Sequence, residues 1–529
     1  MKTLYFGGPI LTMESPLYAE ALLEENGRIS AVGPLSVLLP QAEGAREIDL
    51  KGRALLPAFL DPHSHLSGAA TGQLQCDLEE AGSFKQLADK LINFFHSYPP
   101  ADGQWVIGKG YDHNHLAENC HPTRSVLDHA IPDHPVVIQH RSGHMGVFNS
   151  CALHQLGVSP DTPWPEGGLI AQEQGVLTGY MEETAFTDYL KRVPMPDTPQ
   201  LLAAYQQAQQ EYASHGITTV QDGMLAEQLA PLYHALIEEK LLSLDVVGYP
   251  SLSGWDDLAA QFPQSVKRYD HSFKLGGIKL FLDGSPQGRT AWMRTPYRGG
   301  SSDDFGYGTM TDQALREALE FAWRHRLQPL AHCNGDAAAA QYLSVLDAVE
   351  RAHPGFRALR PVLIHAQFLD LDQMADVARL GVIPSFFVSH VYHWGDVHIE
   401  SFGLTRASRI SPAHTALEYG ICFTFHQDTP VTQPDMLETL WAAAMRLTKQ
   451  GICLGPEQRI PVEAALRAVT CNAAYQYFEE HSKGSLKAGK QANLLILSAD
   501  PLALPPEELR SIQVLATLRR GRTLYRSPE

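Results

Sequence analysis

From residue 217 onward, short apolar runs recur along the chain and end in polar residues or glycine. They are ITTVQDG (217–223), LDVVGYP (244–250), GGIKLFLDGS (276–285), LQPLAHCNG (327–335), PVLIHAQ (361–367), VIPSFFVSH (382–390) and ICFTFHQDTP (421–430). Helical patterns separate most of them, such as TDQALREALEFAWRHR with Thr311 as N-cap and LDQMADVARLG with Gly381 past its end. Strands alternating with helices imply βαβ units and a parallel sheet. The run in LLPAFLDPHSH (55–65) brings the strand count to eight. Eight such units predict an α/β fold, a (β/α)8 TIM-type barrel with functional residues at the C-terminal ends of its strands. A doubly wound open sheet is the alternative, but no GxGxxG follows the first strand.

The chain ends read differently. TLYFGGPILTM, EALLEENGRISAVGP with Asn26-Gly27 as a hairpin signal, and REIDLKGRALLP are strand-like, as are KGSLKAGKQANLLILSAD and IQVLATLRRGRTLYR at the other end. Neither end is large enough for its own core. The expectation is one small β-sandwich formed by residues 1–56 and 481–529 around a barrel spanning 57–480. From His65 to Ile217 lie about 150 residues, far more than one crossover needs. SFKQLADKLINFF, QWVIGKGYD, PVVIQHRSG and the hairpin GGLIAQEQGVLTGYME within it indicate an inserted α+β subdomain, 68–200. Because it leaves the first strand beside His65, it is expected at the barrel mouth, as a lid or wall.

Composition narrows the function. Hydrophobic residues are 44% and charged residues 19% of 529, which suits a globular chain. A formal charge of −18 disfavours nucleic acid and anionic membrane as partners, and leaves a small molecule as the expected one. No run has the roughly 20 apolar residues of a membrane span, and MKTLYFGGPILTMESP has no signal-peptide h-region. The seven cysteines are scattered and form no CxxC pair, so a reducing cytoplasm is expected and any metal would be held by histidine and carboxylate.

Candidate chemistry collects at the strand ends. His63 and His65 are one residue apart, on the same face of a strand and roughly 6.5–7 Å apart at Cα. Both imidazoles could therefore reach one ion through bonds of about 2.0–2.1 Å. His332 ends the fifth run, His365 the sixth and Asp428 the eighth, while Lys279 lies inside the fourth. Singly each has a structural explanation: a hydrogen-bonded core histidine, a turn cap, a cation beside Asp283. In the barrel register all six fall on one rim, which points to a joint metal site. Lys279 shares a strand face with Phe281 and Asp283, so it points into the barrel, and Asp283 is roughly 13 Å away along the strand. A buried ammonium has a lowered pKa. A neutral amine can add to CO₂ and become a carbamate whose two oxygens can bridge two ions.

The order HxH, Lys, His, His, Asp on strands 1, 4, 5, 6 and 8 resembles the amidohydrolase superfamily. IKLFLDGSPQGRTA, AHCNGDAAAA, RISPAHTALEYG, QDTPV, SGHMGVFNSCAL and KGSLKAGKQANLLIL resemble its YtcJ-like branch, the amidohydrolase 3 group. Two departures stand out: Pro57-Ala58-Phe59 where Pro-Gly-Phe is usual, and His426-Gln427 where Gly-Ser is usual. The resemblance implies that His63, His65 and Asp428 bind the more buried metal and that His332 and His365 bind the second. It implies Zn²⁺, one or two ions, with other divalent metals as alternatives, and CO₂-derived carboxylation of Lys279 as the bridge. A metal-activated hydroxide would attack the substrate while Asp428 acts as general base.

The expected activity is hydrolysis of a carbon–nitrogen bond other than a peptide bond, in an amide, N-acyl, N-formyl or cyclic amide compound. A metal-dependent deaminase is the enzymatic alternative, and a non-catalytic regulatory or binding protein that kept the fold is the other. Asp112, His113 and His144 in the insertion, with Arg289, His390, His393 and His426, are expected to shape the substrate pocket. A homodimer is the assembly the family suggests.

Overall fold

The computed structural model describes residues 2–98, 100, 103–194 and 196–528. The chain divides into two compact units: Met1–Gly68 with Ala208–Glu529, and Ala69–Gln207.

In the first unit the eight expected strands are β1 (Phe59–Leu60), β2 (Ile217–Leu225), β3 (Asp245–Pro250), β4 (Phe273–Leu275 and Gly277–Phe281), β5 (Gln328–Cys333), β6 (Val362–His365), β7 (Ile383–Phe386) and β8 (Thr424–Phe425). All neighbours pair in parallel, in sequence order. The two halves of β4 join the arc β1–β4 to the arc β4–β8, and a parallel bridge from Ser251 to Lys279 reinforces the joint. At the ends of β8 and β1, Asp428 N donates to His63 O (3.3 Å) and His65 N donates to Thr429 O (2.8 Å). The strands therefore run in barrel order, and their near-continuous apolar character follows from burial on both faces. Gly277 is required where β4 meets β5, because a Cβ there would lie 2.0 Å from Gln328 O. That close approach sets the register in which Lys279 pairs with Leu330 and Phe281 with His332.

Between strands, local signals terminate the helices as the chemistry demands. The Thr311 side chain accepts from Ala314 N at the start of Asp312–His325. Gly381, at φ 66°, ends Met374–Leu380 in the left-handed conformation that costs glycine nothing.

Both chain ends enter one eight-stranded sheet, continuous in its hydrogen bonds. Leu494–Leu497 pairs antiparallel with Ala54–Pro57, which ties the C-terminal strands to the N-terminal ones. Tyr5, Leu22, Ile29, Leu55 and Leu494 pack on one face, and Leu4, Ala21 and Leu23 pack against Leu38 on the other. Asn26 (φ 51°) and Gly27 (φ 82°) form the tight turn between Tyr18–Glu25 and Arg28–Gly33.

The second unit has a six-stranded sheet, with Val106–Tyr111, Val136–His140 and Met145–Phe148 at its centre and the hairpin Gly168–Glu173/Val176–Glu182 at one edge. Leu87 and Leu91 of helix Phe84–Ser97 pack with Val106, Val136 and Ile138. No helix among the described residues is long and apolar enough to cross a membrane.

Candidate metal centre

His63 and His65 follow β1, Lys279 lies in β4, His332 in β5, His365 ends β6 and Asp428 follows β8, so all six share the C-terminal rim. Two of them hold unusual backbone: His365 at φ 72° and Asp428 at φ 54°. Left-handed conformations in non-glycine residues cost of order 1–3 kcal/mol and concentrate at functional sites. Here each turns a strand-end side chain toward a common point. Asp428 Oδ1 lies 3.2 Å from His63 Nε2 and 3.3 Å from His65 Nε2, while Oδ2 lies 3.9 Å from His365 Nε2. Lys279 Nζ is 3.2 Å from His63 Nε2. The His332 and His365 rings are 4.7 Å apart, and Phe281 stacks on His332.

Three of the four histidines turn Nδ1 outward into a hydrogen bond, and the fourth, His332, faces a carboxylate without forming one. His63 Nδ1 donates to Gln221 Oε1 (2.6 Å), and Gln221 Nε2 donates to Pro62 O (2.8 Å), which fixes the amide so that its oxygen meets the ring. His65 Nδ1 donates to Gly223 O (2.7 Å). His332 Nδ1 lies 3.4 Å from Asp283 Oδ1, and His365 Nδ1 shares a hydrogen bond with His426 Nε2 (3.1 Å). A proton held at Nδ1 leaves Nε2 as a lone pair, the arrangement by which outer partners orient metal-binding histidines.

Burial sets the charges. It drives His63 down to about 3, helped by Lys279, and drives His365 well below the usual range. Both rings are therefore neutral near pH 7. His65 is raised: burial opposes its charge, but the Asp428 carboxylate outweighs that. Burial would lift Asp428, yet His365, His63 and His65 hold it well below the usual carboxylate range. Lys279, 2% exposed, is lowered to about 7 by loss of solvent, against the pull of Asp428.

These residues fit a divalent ion. Ligand atoms of His63, His365 and Asp428 lie within 4.8 Å of one another, and Asp428 Oδ1 is buried with no hydrogen-bond partner among the described residues. Neutral imidazoles around an ionised, unsatisfied carboxylate oxygen are a donor set for a cation.

The remaining predicted pocket residues separate. His426 is fully buried behind His365, bonded to it and to Ser385. His390 is buried and meets His398 (3.2 Å), and His393 meets Glu438 Oε1 (2.8 Å). Arg289, in the loop after β4, donates to Asp304 (2.6 Å) and staples that loop. In the second unit Asp112, His113 and His140 form a cluster, with Arg141 Nη1 3.2 Å from Asp112, while exposed His144 pairs with Glu183. Sequence reasoning missed Gln221 and Asp283 as outer partners. Their one trace was the polar end of ITTVQDG and the aspartate in LFLDGS.

A family model described as "Amidohydrolase family" matches residues 46–525. The YtcJ amidohydrolase of Bacillus subtilis is 28% identical over 99% of each chain. The N-substituted formamide deformylase of Arthrobacter pascens is 28% identical over 96% of this chain and 95% of its own. The crystal structure of an uncharacterised metal-dependent hydrolase from Pyrococcus furiosus is 25% identical, covers 95% of this chain and 100% of its own, and superposes with a TM-score of 0.76. A strand-end cluster of histidine, lysine and aspartate on a barrel rim agrees with that kinship, and the chain belongs to the amidohydrolase family of metal-dependent hydrolases acting on carbon–nitrogen bonds.

Proposed function

We propose that this enzyme hydrolyses the carbon–nitrogen bond of a small N-formyl, N-acyl or cyclic amide compound, with Zn²⁺ as its metal and the cytoplasm as its compartment. In this reading His63, His65 and Asp428 would hold one ion and His332 and His365 a second, with Lys279, once carboxylated, as a further ligand. The carrying observation is Lys279: its amine is buried beside His63 Nε2, and loss of solvent lowers it to about 7. The neutral amine adds to CO₂ and releases one proton, leaving a carbamate with two oxygens in place of a buried cation.

Bound divalent ions lower the pKa of water toward 7 and polarise the substrate carbonyl. Asp428, held well below the usual carboxylate range and so ionised at neutral pH, accepts the proton of the attacking water. The water oxygen bonds to the carbonyl carbon, the C–N bond breaks, and Asp428 returns the proton to the departing nitrogen. Gln221, Gly223 and Asp283 keep the histidine rings oriented while this happens.

The similarity to a formamide deformylase makes N-substituted formamides the first substrates to try. Metal-replete enzyme should release formate and free amine from them, or acid and amine from N-acyl and cyclic analogues, and a chelator should stop turnover. Ammonia released from amino-heterocycles, with all amides untouched, would replace this reading with deamination.

A further inference from the structure

Three of the four histidines at the centre rest Nδ1 on, or point it at, an oxygen that can only accept: Gln221 Oε1, Gly223 O and Asp283 Oδ1. His365 differs, because its Nδ1 meets another imidazole, His426 Nε2, at 3.1 Å. His426 Nδ1 in turn lies 2.8 Å from Ser385 Oγ on β7. His426 and Ser385 are both 0% exposed; the His426 ring packs edge-on against His63, with centroids 5.2 Å apart, and its hydrogen bond to the centre goes to His365.

We propose that His426 is a positioning residue for the metal centre: it accepts the His365 Nδ1 proton, hands its own Nδ1 proton to Ser385 Oγ, and so holds His365 Nε2 as the inward lone pair. This rests on the reading of His365 as a metal ligand. The direction of the relay follows from that ligation, since Nε2 can bind an ion only if the ring's proton sits on Nδ1. Once it does, His426 Nε2 must be the acceptor, His426 Nδ1 must carry a proton, and Ser385 Oγ is placed to take it.

An imidazole acceptor is neutral, unlike the Asp283 carboxylate behind His332. It therefore orients His365 without adding a second buried negative charge, and raises the basicity of the ligand less than a carboxylate does. The two histidines of the proposed second ion thus have outer partners of different strength. His426 thus fills the space behind His365 with an acceptor.

The test is zinc affinity of initially metal-free protein, measured by competition with a chromogenic chelator, together with the visible spectrum of the Co²⁺-substituted form. His426→Leu should weaken zinc binding by about 10–100-fold, the usual effect of losing an outer partner, and should shift the Co²⁺ bands. His426→Gln, whose amide oxygen can accept the same proton, should recover most of the affinity and the wild-type spectrum. Ser385→Ala should weaken binding in the same direction by a smaller factor. Wild-type affinity and spectrum in His426→Leu, or a His426→Gln protein as weak as His426→Leu, overturns the proposal. If His426→Leu does not fold, unchanged affinity in Ser385→Ala overturns it. A His365→Ala control separates the two levels. Wild-type zinc stoichiometry and affinity in His365→Ala overturns the ligand assignment itself, whereas zinc weakened there but unchanged in His426→Leu overturns only the relay.

Discussion

Lys279 Nζ lies 3.2 Å from Nε2 of His63, and both groups are almost fully buried. Two nitrogens this close, one an amine lowered to about 7 and the other an imidazole lowered to about 3, have no reason to be charged together.

If Lys279 becomes a carbamate, its removal should cost metal. Lys279→Ala is expected to lose most of its bound zinc and its activity, with partial rescue by short carboxylic acids that supply the missing oxygens. Elemental analysis of wild type and variant checks this. Full occupancy and full turnover in Lys279→Ala would sink the carbamate.

Asp283 is 1% exposed and accepts backbone N–H groups from Trp292 (3.0 Å), Asn334 (2.9 Å) and Gly335 (2.7 Å), besides facing His332. Asp283→Ala strands three buried donors, each worth about 1–3 kcal/mol when left unmade. A loss of about 3–5 kcal/mol is expected in denaturant unfolding of the metal-free protein, because such costs do not add fully. Asp283→Asn, which keeps one oxygen, should lose less. A change below about 1 kcal/mol in the alanine variant would show that the loop after β4 does not depend on this carboxylate.

The strand positions of the site were readable because each barrel strand is an apolar run with its polar residue at one end, and a parallel sheet brings those ends together. Strand order alone therefore puts His63, Lys279, His332, His365 and Asp428 on one rim. What holds them in orientation was not readable. Gln221 is 158 residues from His63, and only the register of β2 against β1 decides that its amide, rather than Asp222, meets the ring. His426 was visible as an odd residue beside Asp428, but its alternation along the strand sends the ring behind His365 and toward Ser385. The loop after β4 has no periodicity at all; long-range pairs such as Arg289 with Asp304 define it.

A buried ion network beneath the barrel predicts an acid limit to stability. Asp245 Oδ2 lies 2.7 Å from Lys483 Nζ and its Oδ1 meets Arg519 and Arg520, while Glu479 meets Lys483 and Lys274. Burial alone would raise both carboxyls. Lys483 with Arg519 holds Asp245 down, and Lys483 with Lys274 holds Glu479 down. Their folded values are thus below the unfolded values of about 3.9 and 4.3. The stability they contribute is complete above about pH 5 and is lost as the pH falls through the unfolded and then the folded values. Unfolding free energy measured between about pH 3 and 7 should fall on the acid side in wild type. Asp245→Asn should start about 3–5 kcal/mol lower, with Lys483 and Arg519 left short of a partner, and show a shallower slope. Equal slopes would remove Asp245 from the account.

The last prediction concerns the proton. Asp428 sits at the end of β8 with Oδ1 between His63 and His65, and those rings keep it ionised at neutral pH. Asn has nearly the same shape and still offers an oxygen to an ion, but it cannot accept and return a proton. Asp428→Asn should therefore keep much of its metal while kcat drops by roughly 10²–10⁴, the usual worth of a positioned acid–base group. The loss should fall on kcat more than on KM, because proton transfer belongs to the transition state and not to substrate binding. Metal content and steady-state kinetics on the same preparation decide it. If the metal stays and kcat is unchanged, the base is another group, and if the metal is lost, the role of Asp428 as ligand outweighs its role as base.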